Sequence, residues 1–291
     1  MAELAPQYRE KVVTFGDNGS LVGVLTIPSD ARPDAPHVIL LNSGIVHRVG
    51  AHRSYVTFAR ALAKIGVPVL RFDLSGIGDS ERQATSVSLQ ESVLRDISAA
   101  ADFLSQKHGA KSLVVAGLCS GAFDAFLYAL ADERVSGAFM LDMPGPFRNW
   151  SHLAYRAAGR ALRPASWMNL VRRISKQARP LPLVGSIDSA QRGDASTVYL
   201  PGVRGHLSRD RMEAELDKLL ARGVKLMFVF TGGVEDDYNH RLQFRLRFPR
   251  AAAHPSLCTE FIPWSDHTFS TRNAREYVTG YLQNWVAQQA S

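Results

Sequence analysis

The run Val114-Val115-Ala116-Gly117-Leu118-Cys119-Ser120-Gly121-Ala122 carries a β-branched strand signal into a G-x-C-x-G turn and on into small residues of helical character. A strand that turns sharply into a helix around one reactive side chain needs little bulk two positions either side of its apex. Gly117 and Gly121 hold those positions around Cys119. Were Ser120 the apex, Leu118 would fill the tight place before it, so Cys119 is the expected nucleophile and Ser120 the competitor. Free cysteine also packs inertly in protein cores. Partners elsewhere in the chain separate a reactive thiol from an inert one.

Ligands of open α/β sheets sit at the carboxyl ends of the strands. The strand-like stretch 224–230 is followed by Thr231-Gly232-Gly233-Val234-Glu235-Asp236-Asp237, and 259–262 by Pro263-Trp264-Ser265-Asp266-His267-Thr268-Phe269. His267 is thereby the expected general base. Asp236 is the first choice for the carboxylate that orients it and stabilises its charged form. Asp237, Glu235 and Asp142, the last at the end of strand 135–141, are the alternatives. An oxyanion needs two aimed backbone amides. Ser120 and Ile45 are the candidates, Ile45 following Asn42-Ser43-Gly44 after strand 38–41. Ser120 also opens a helix, whose positive end favours an anion.

A thiolate is the reactive form of cysteine, and a helix N-terminus or a neighbouring imidazolium favours it. Cys119 and His267 are therefore expected to rest as a thiolate–imidazolium pair. Attack on an acyl group gives an acyl-cysteine thioester, at which amines and thiols compete with water. The chemistry expected is acyl hydrolysis or acyl transfer on a thioester or ester. A non-catalytic ligand-binding or scaffold protein with the same residues in place is the alternative.

The elements that must position these residues alternate. Stretches 12–15 and 21–27 read as an antiparallel pair around a turn at Asp17-Asn18-Gly19, and apolar strands follow at 38–41, 67–72, 113–115, 135–141, 224–230 and 259–262. Helical spacing appears at 55–65, 88–107, 122–131, 242–248 and 275–287. Continuous apolar strands separated by helices indicate an α/β chain with a mostly parallel sheet covered on both faces. The rhythm breaks after Met143-Pro144-Gly145-Pro146. The expected organisation is a core from 1–146 and 223–291 with a helical lid inserted at 147–222.

The chain has 291 residues and a formal net charge of +7. Residues 148–179 hold eight basic side chains and no acidic one, so the remainder is nearly neutral. Arg156, Arg160 and Arg163 share a helix face by their spacing. Guanidinium forks suit phosphate and carboxylate, so phosphopantetheine, coenzyme A or an acyl carrier protein are the partners such a lid would meet. His47 and Arg48, with His52 and Arg53, are further candidates at the mouth. A peripheral membrane contact through Trp167, Met168, Leu170 and Arg172-Arg173 is a less favoured reading. No nucleic-acid-binding module accompanies the charge. Two cysteines, Cys119 and Cys258, give no disulfide framework, and Cys258 reads as a packed strand residue. No zinc-ligand spacing occurs, so no metal or cofactor is expected. The N-terminus has no signal-peptide character and no apolar run reaches a membrane span, so cytoplasmic residence is expected.

Leu41-Asn42-Ser43-Gly44, His47-Arg48-Val49-Gly50, Arg71-Phe72-Asp73-Leu74-Ser75-Gly76-Ile77-Gly78-Asp79-Ser80 and Gly117-Leu118-Cys119-Ser120-Gly121 together resemble the α/β-hydrolase superfamily. Within it they are similar to a bacterial branch described as serine-aminopeptidase-like or exosortase-associated hydrolases. The resemblance spans nearly the whole chain outside the lid and implies an α/β-hydrolase fold. It names no substrate, and peptidase activity is not carried over. Cysteine replaces the family's usual serine, as it does in dienelactone hydrolases, which turns the expectation from an ordinary esterase toward a thioesterase or acyltransferase. Ser43-Gly44 replaces the usual His-Gly, a smaller departure because the donor there is backbone.

Overall fold

The computed structural model describes residues 7–82, 87–161 and 207–290. Tyr8–Phe15 (β1) and Leu21–Pro28 (β2) pair antiparallel around a tight turn in which Asn18 takes φ 54°. His37–Leu41 (β3), Val69–Phe72 (β4), Leu113–Leu118 (β5), Val135–Leu141 (β6), Lys225–Thr231 (β7) and Leu257–Ile262 (β8) run parallel. Among the described residues the sheet order is β1-β2-β4-β3-β5-β6-β7-β8. The chain leaves β3 toward β4 on one side and reaches β5 on the other. The crevice between β3 and β5 is thus the point where the winding reverses, the place where such sheets bind ligands.

Eight helices flank the described sheet: Ser54–Lys64 (α1), Leu89–His108 (α2), Ser120–Ala131 (α3), Trp150–Ala161 (α4), Arg209–Ala221 (α5), Gln243–Arg247 (α6), Pro249–Ala252 (α7) and Arg272–Ala287 (α8). Several start where a side-chain oxygen satisfies a first-turn amide: Ser88 accepts from Glu91, Ser208 from Arg211 and Thr271 from Ala274. Along the strands, alternate residues enter opposite cores. Ile39, Leu41 and Val115 pack with α2, α3 and α5, and Val38, Leu40 and Val114 pack with α1 and α8. Burial on both faces explains the unbroken apolar strand runs.

Two expectations change. Cys258 is exposed, because β8 is the edge strand and its side-chain alternation turns Cys258 outward. Helix α5 buries Met212, Leu216, Leu219 and Leu220 in the same core as α2 and α3, so the last stretch of the expected 147–222 insertion packs as part of the core. Helix α4 buries Ser151 and His152 and leaves Trp150, Leu153 and Tyr155 exposed. The rest of the expected lid, including Arg163, Trp167, Met168, Leu170, Arg172 and Arg173, lies outside the described residues. Among the described residues no helix is long and apolar enough to cross a membrane.

Candidate active site

Cys119 stands at the junction of β5 and α3 with φ 56° and ψ −118°, a strained conformation for a side chain with a Cβ, costing on the order of 1–3 kcal/mol. The surroundings enforce it. Cys119 N–H donates to Leu141 O at 2.9 Å, and the amides of Ala122 and Phe123 donate to Cys119 O. A Cβ on Gly117 would lie 2.3 Å from the Gly121 carbonyl carbon, and one on Gly121 would lie 2.4 Å from Asn42 O. Both glycines are therefore required for the elbow to close against β3. Tyr55, buried on α1, ties the same two strand ends together: its hydroxyl donates to Leu41 O at 2.8 Å and accepts from Leu118 N–H at 3.0 Å. Cys119 is half-buried and lines an open cavity.

His267 follows β8 on the loop that crosses the carboxyl end of the sheet. Its Nδ1 lies 2.9 Å from Asp142 Oδ2, and because a carboxylate can only accept, Nδ1 carries the proton. The carboxylate that meets the histidine is therefore Asp142. Asp142 immediately follows β6 with φ 44°, and its side chain is 0% exposed. Thr231 holds it through N–H to Oδ1 at 2.7 Å and Oγ1–H to Oδ2 at 2.6 Å. With Nδ1 engaged, Nε2 is the nitrogen left for Cys119, which lines the same cavity. Burial pulls His267 down, but the bonds and charges of Asp142 and Cys119 outweigh it and raise it from 6.5 to about 10. Two features steady this loop. Asp266 accepts from the hydroxyls and amides of Ser270 and Thr268, bonds led by the Ser270 hydroxyl that hold its carboxyl far below the usual range. Gly233 lets the β7 loop approach, since a Cβ there would lie 2.1 Å from His267 N.

Asp236, the first choice on sequence, is not beside the histidine. A short 3-10 turn at Gly232–Val234 carries the chain away from the end of β7 before Asp236 is reached. There Asp236 is 66% exposed and accepts from Arg156 at 2.8 Å. Asp237 pairs likewise with Arg148 at 2.8 Å, and Glu235 presents its backbone oxygen to His152 Nε2 at 3.1 Å. The acidic loop is the mooring of α4. Arg156 is accordingly an ion-pair partner of this loop, and Arg160 falls at the end of α4 beyond the side chains described.

The loop after β3 turns tightly beside the elbow. Val46 N–H closes a turn on Ser43 O at 3.0 Å. The amide that ties this turn to the elbow belongs to Gly44, which donates to Ser120 Oγ at 2.7 Å. Ile45, whose side chain is 90% exposed, sits at the turn's outer edge. Ser120 N–H opens α3, in the turn whose amides have no preceding helix carbonyl. His47 is exposed on the same loop. Arg48 is not free for a substrate. Its guanidinium spans Asp73 and Asp79, and its N–H donates to Asp73 Oδ1 at 2.6 Å. Asn42 completes the link by accepting from Leu74 N–H at 2.9 Å. Asp73 and Asp79 of the Arg71–Ser80 motif therefore anchor the loop after β3 through Arg48.

The cavity beside Cys119 and His267 has a volume of about 280 Å³. Phe147, Phe230 and Tyr238 make its floor, with Met143 and Val234 beside them and Asp237 at the rim. Phe230 and Tyr238 stack at 3.7 Å, Phe147 meets Phe230 edge-on at 4.8 Å, and all three are buried. The Tyr238 hydroxyl is engaged by Phe244 N–H. This is an apolar slot opening on a thiol, an imidazole and a carboxylate.

Solved structures share this architecture. The esterase domain of a Rhodothermus marinus protein is similar over 97% of this chain and 100% of that one, at 20% identity and a TM-score of 0.56. An esterase from Pyrococcus furiosus is similar over 98% and 91%, at 15% identity and 0.60. A dienelactone hydrolase from Anabaena variabilis is similar over 97% and 99%, at 14% identity and 0.55. At such identities the likeness is one of fold. No curated protein matches the sequence significantly. The family model described as serine aminopeptidase, S33, matches residues 38–192, more than half of the chain and the part that carries the loop after β3, the elbow and Asp142. The chain belongs to that family and is an enzyme of the hydrolase type on the α/β-hydrolase fold.

Proposed function

We propose that the protein is an acyl hydrolase or acyltransferase that works through an acyl-cysteine intermediate, with Cys119 as nucleophile, His267 as acid and base, and Asp142 as the carboxylate that orients the imidazole. The observation that carries this reading is the Asp142–His267 hydrogen bond beside a cysteine held at a strained elbow. In the first step the Cys119 sulfur attacks the acyl carbon and the carbonyl electron pair moves onto oxygen. Collapse expels the leaving thiolate or alkoxide, which takes the proton from His267 Nε2. In the second step neutral His267 accepts a proton from water, or from an amine or thiol acceptor, as that group attacks the thioester. Collapse then returns Cys119 as thiolate beside imidazolium. Asp142 stabilises the charged ring throughout.

The cavity supports a compact apolar acyl group. Its floor of Phe147, Phe230 and Tyr238 suits a medium-length apolar acyl chain, for which octanoyl is the probe. We assign the thioester carrier to coenzyme A, phosphopantetheine or an acyl carrier protein on the basic composition of residues 148–179. Arg148 and Arg156 contribute less to this than their charges imply, because Asp237 and Asp236 already face them.

Steady-state turnover of octanoyl thioesters tests the reading. Cys119→Ala should lose all turnover with its fold intact, and Cys119→Ser should keep a small fraction. Full activity in Cys119→Ala would remove the mechanism. Comparing octanoyl-coenzyme A with the octanoyl thioester of N-acetylcysteamine, with and without an amine, then separates carrier recognition from acyl recognition and hydrolysis from transfer.

A further inference from the structure

The amide of Gly44 points at the elbow, yet it ends on the Ser120 hydroxyl oxygen and not on open space. A serine hydroxyl has one proton to donate and two lone pairs to accept with. Here one lone pair takes the Gly44 N–H at 2.7 Å, which leaves the O–H proton as the donor at the end of a two-bond chain. Such chains polarise each other, so a hydroxyl that accepts from an amide is a stronger donor in turn. Ser120 is also the residue directly after Cys119 and the first of α3, so its hydroxyl and its own amide lie at the same positive helix end.

We infer that the Ser120 side chain is a catalytic oxyanion donor: its O–H, polarised by Gly44 N–H, joins its own N–H in binding the oxygen that becomes negative during acyl transfer. This rests on the acyl-cysteine reading and adds a residue to it. The relay adds a donor to those that the backbone amides of the elbow and the loop after β3 can supply. No new bond is made or broken. The tetrahedral intermediate gains a hydrogen bond that the planar substrate makes less well.

Two reactions of the same sulfur test this. Acyl transfer from an octanoyl thioester builds an oxyanion, whereas alkylation by iodoacetamide displaces iodide at a methylene carbon and builds none. Ser120→Ala should lower kcat for the thioester by about 10²-fold, the usual cost of one oxyanion donor, with KM little changed. The rate at which iodoacetamide alkylates Cys119 should stay within twofold of the native rate. Ser120→Thr, which keeps the hydroxyl, should recover most of the turnover. Turnover in Ser120→Ala within fivefold of native, or above it, would overturn the inference, since the hydroxyl would then be inert or a plug. Parallel loss of turnover and alkylation would also overturn it, by showing that the residue only shapes the elbow. Turnover that survives in Cys119→Ala would instead sink the underlying acyl-cysteine reading, so the two failures are distinguishable.

Discussion

Asp142 and His267 are 125 positions apart in sequence, and the structure joins them through a 2.9 Å bond from Nδ1 to Oδ2. The bond is possible because β6 and β7 are neighbours and Thr231, at the end of β7, grips both oxygens of the carboxylate from behind. Thr231 thereby fixes the carboxylate, and Oδ2 takes the imidazole as well as the Thr231 hydroxyl. Asp142→Asn should lower kcat on the order of 10³-fold or more, because the amide can present its NH₂ and favour the wrong tautomer. Asp236→Asn should leave kcat within about threefold. Parallel kinetics of the two variants decide between the acids.

The same bond sets a pH dependence for stability. His267 is raised to about 10 in the folded protein from 6.5. A raised histidine contributes its full stabilisation below the unfolded value and loses it as pH climbs through the folded one. The melting temperature of the native protein should therefore exceed that of Asp142→Asn most near pH 6, with the gap closing toward pH 10. Melting curves at pH 6, 8 and 10 check this. A gap that widens with pH would contradict it.

Tyr55 links Leu41 O to Leu118 N–H across the β3–β5 crevice. Tyr55→Phe leaves a buried carbonyl and a buried amide without that partner, a loss of about 1–3 kcal/mol. Because those strand ends carry the oxyanion loop and the elbow, kcat should fall together with the urea midpoint. Unfolding curves and kinetics on one preparation test both.

Two arginines that look alike in sequence should behave differently. The Arg48 guanidinium is 17% exposed and faces Asp73, which is fully buried. Arg48→Ala strands that carboxylate and should cost about 3–5 kcal/mol. The Arg156–Asp236 pair is open to solvent on both sides, and Arg156→Ala should change stability by less than about 1 kcal/mol. Denaturant unfolding of the two variants makes the comparison.

What the sequence made legible follows from how local each signal is. The elbow was readable because Gly117 and Gly121 sit at fixed offsets from Cys119, and their contacts show why no side chain fits there. The core strands are legible because burial on both faces leaves unbroken apolar runs, whereas α5 is not, because its largely charged sequence hides the stripe of Met212, Leu216, Leu219 and Leu220 that packs in the core. His267 was readable from its place after the last strand. The acid was misjudged because Asp236 and Asp142 both follow strands, and only the turn at Gly232–Val234 carries one of them off the sheet. Arg48 was misread because its partners Asp73 and Asp79 lie 25 and 31 residues away. No local pattern announces that pairing.

The central claim is that the sulfur of Cys119 becomes acylated. Acid-quenched reaction with an octanoyl thioester, followed by peptide mass spectrometry, measures this directly. An octanoyl adduct on Cys119 is the predicted result, absent from Cys119→Ala. An adduct on Ser120, or turnover with the Cys119 thiol never modified, would contradict it.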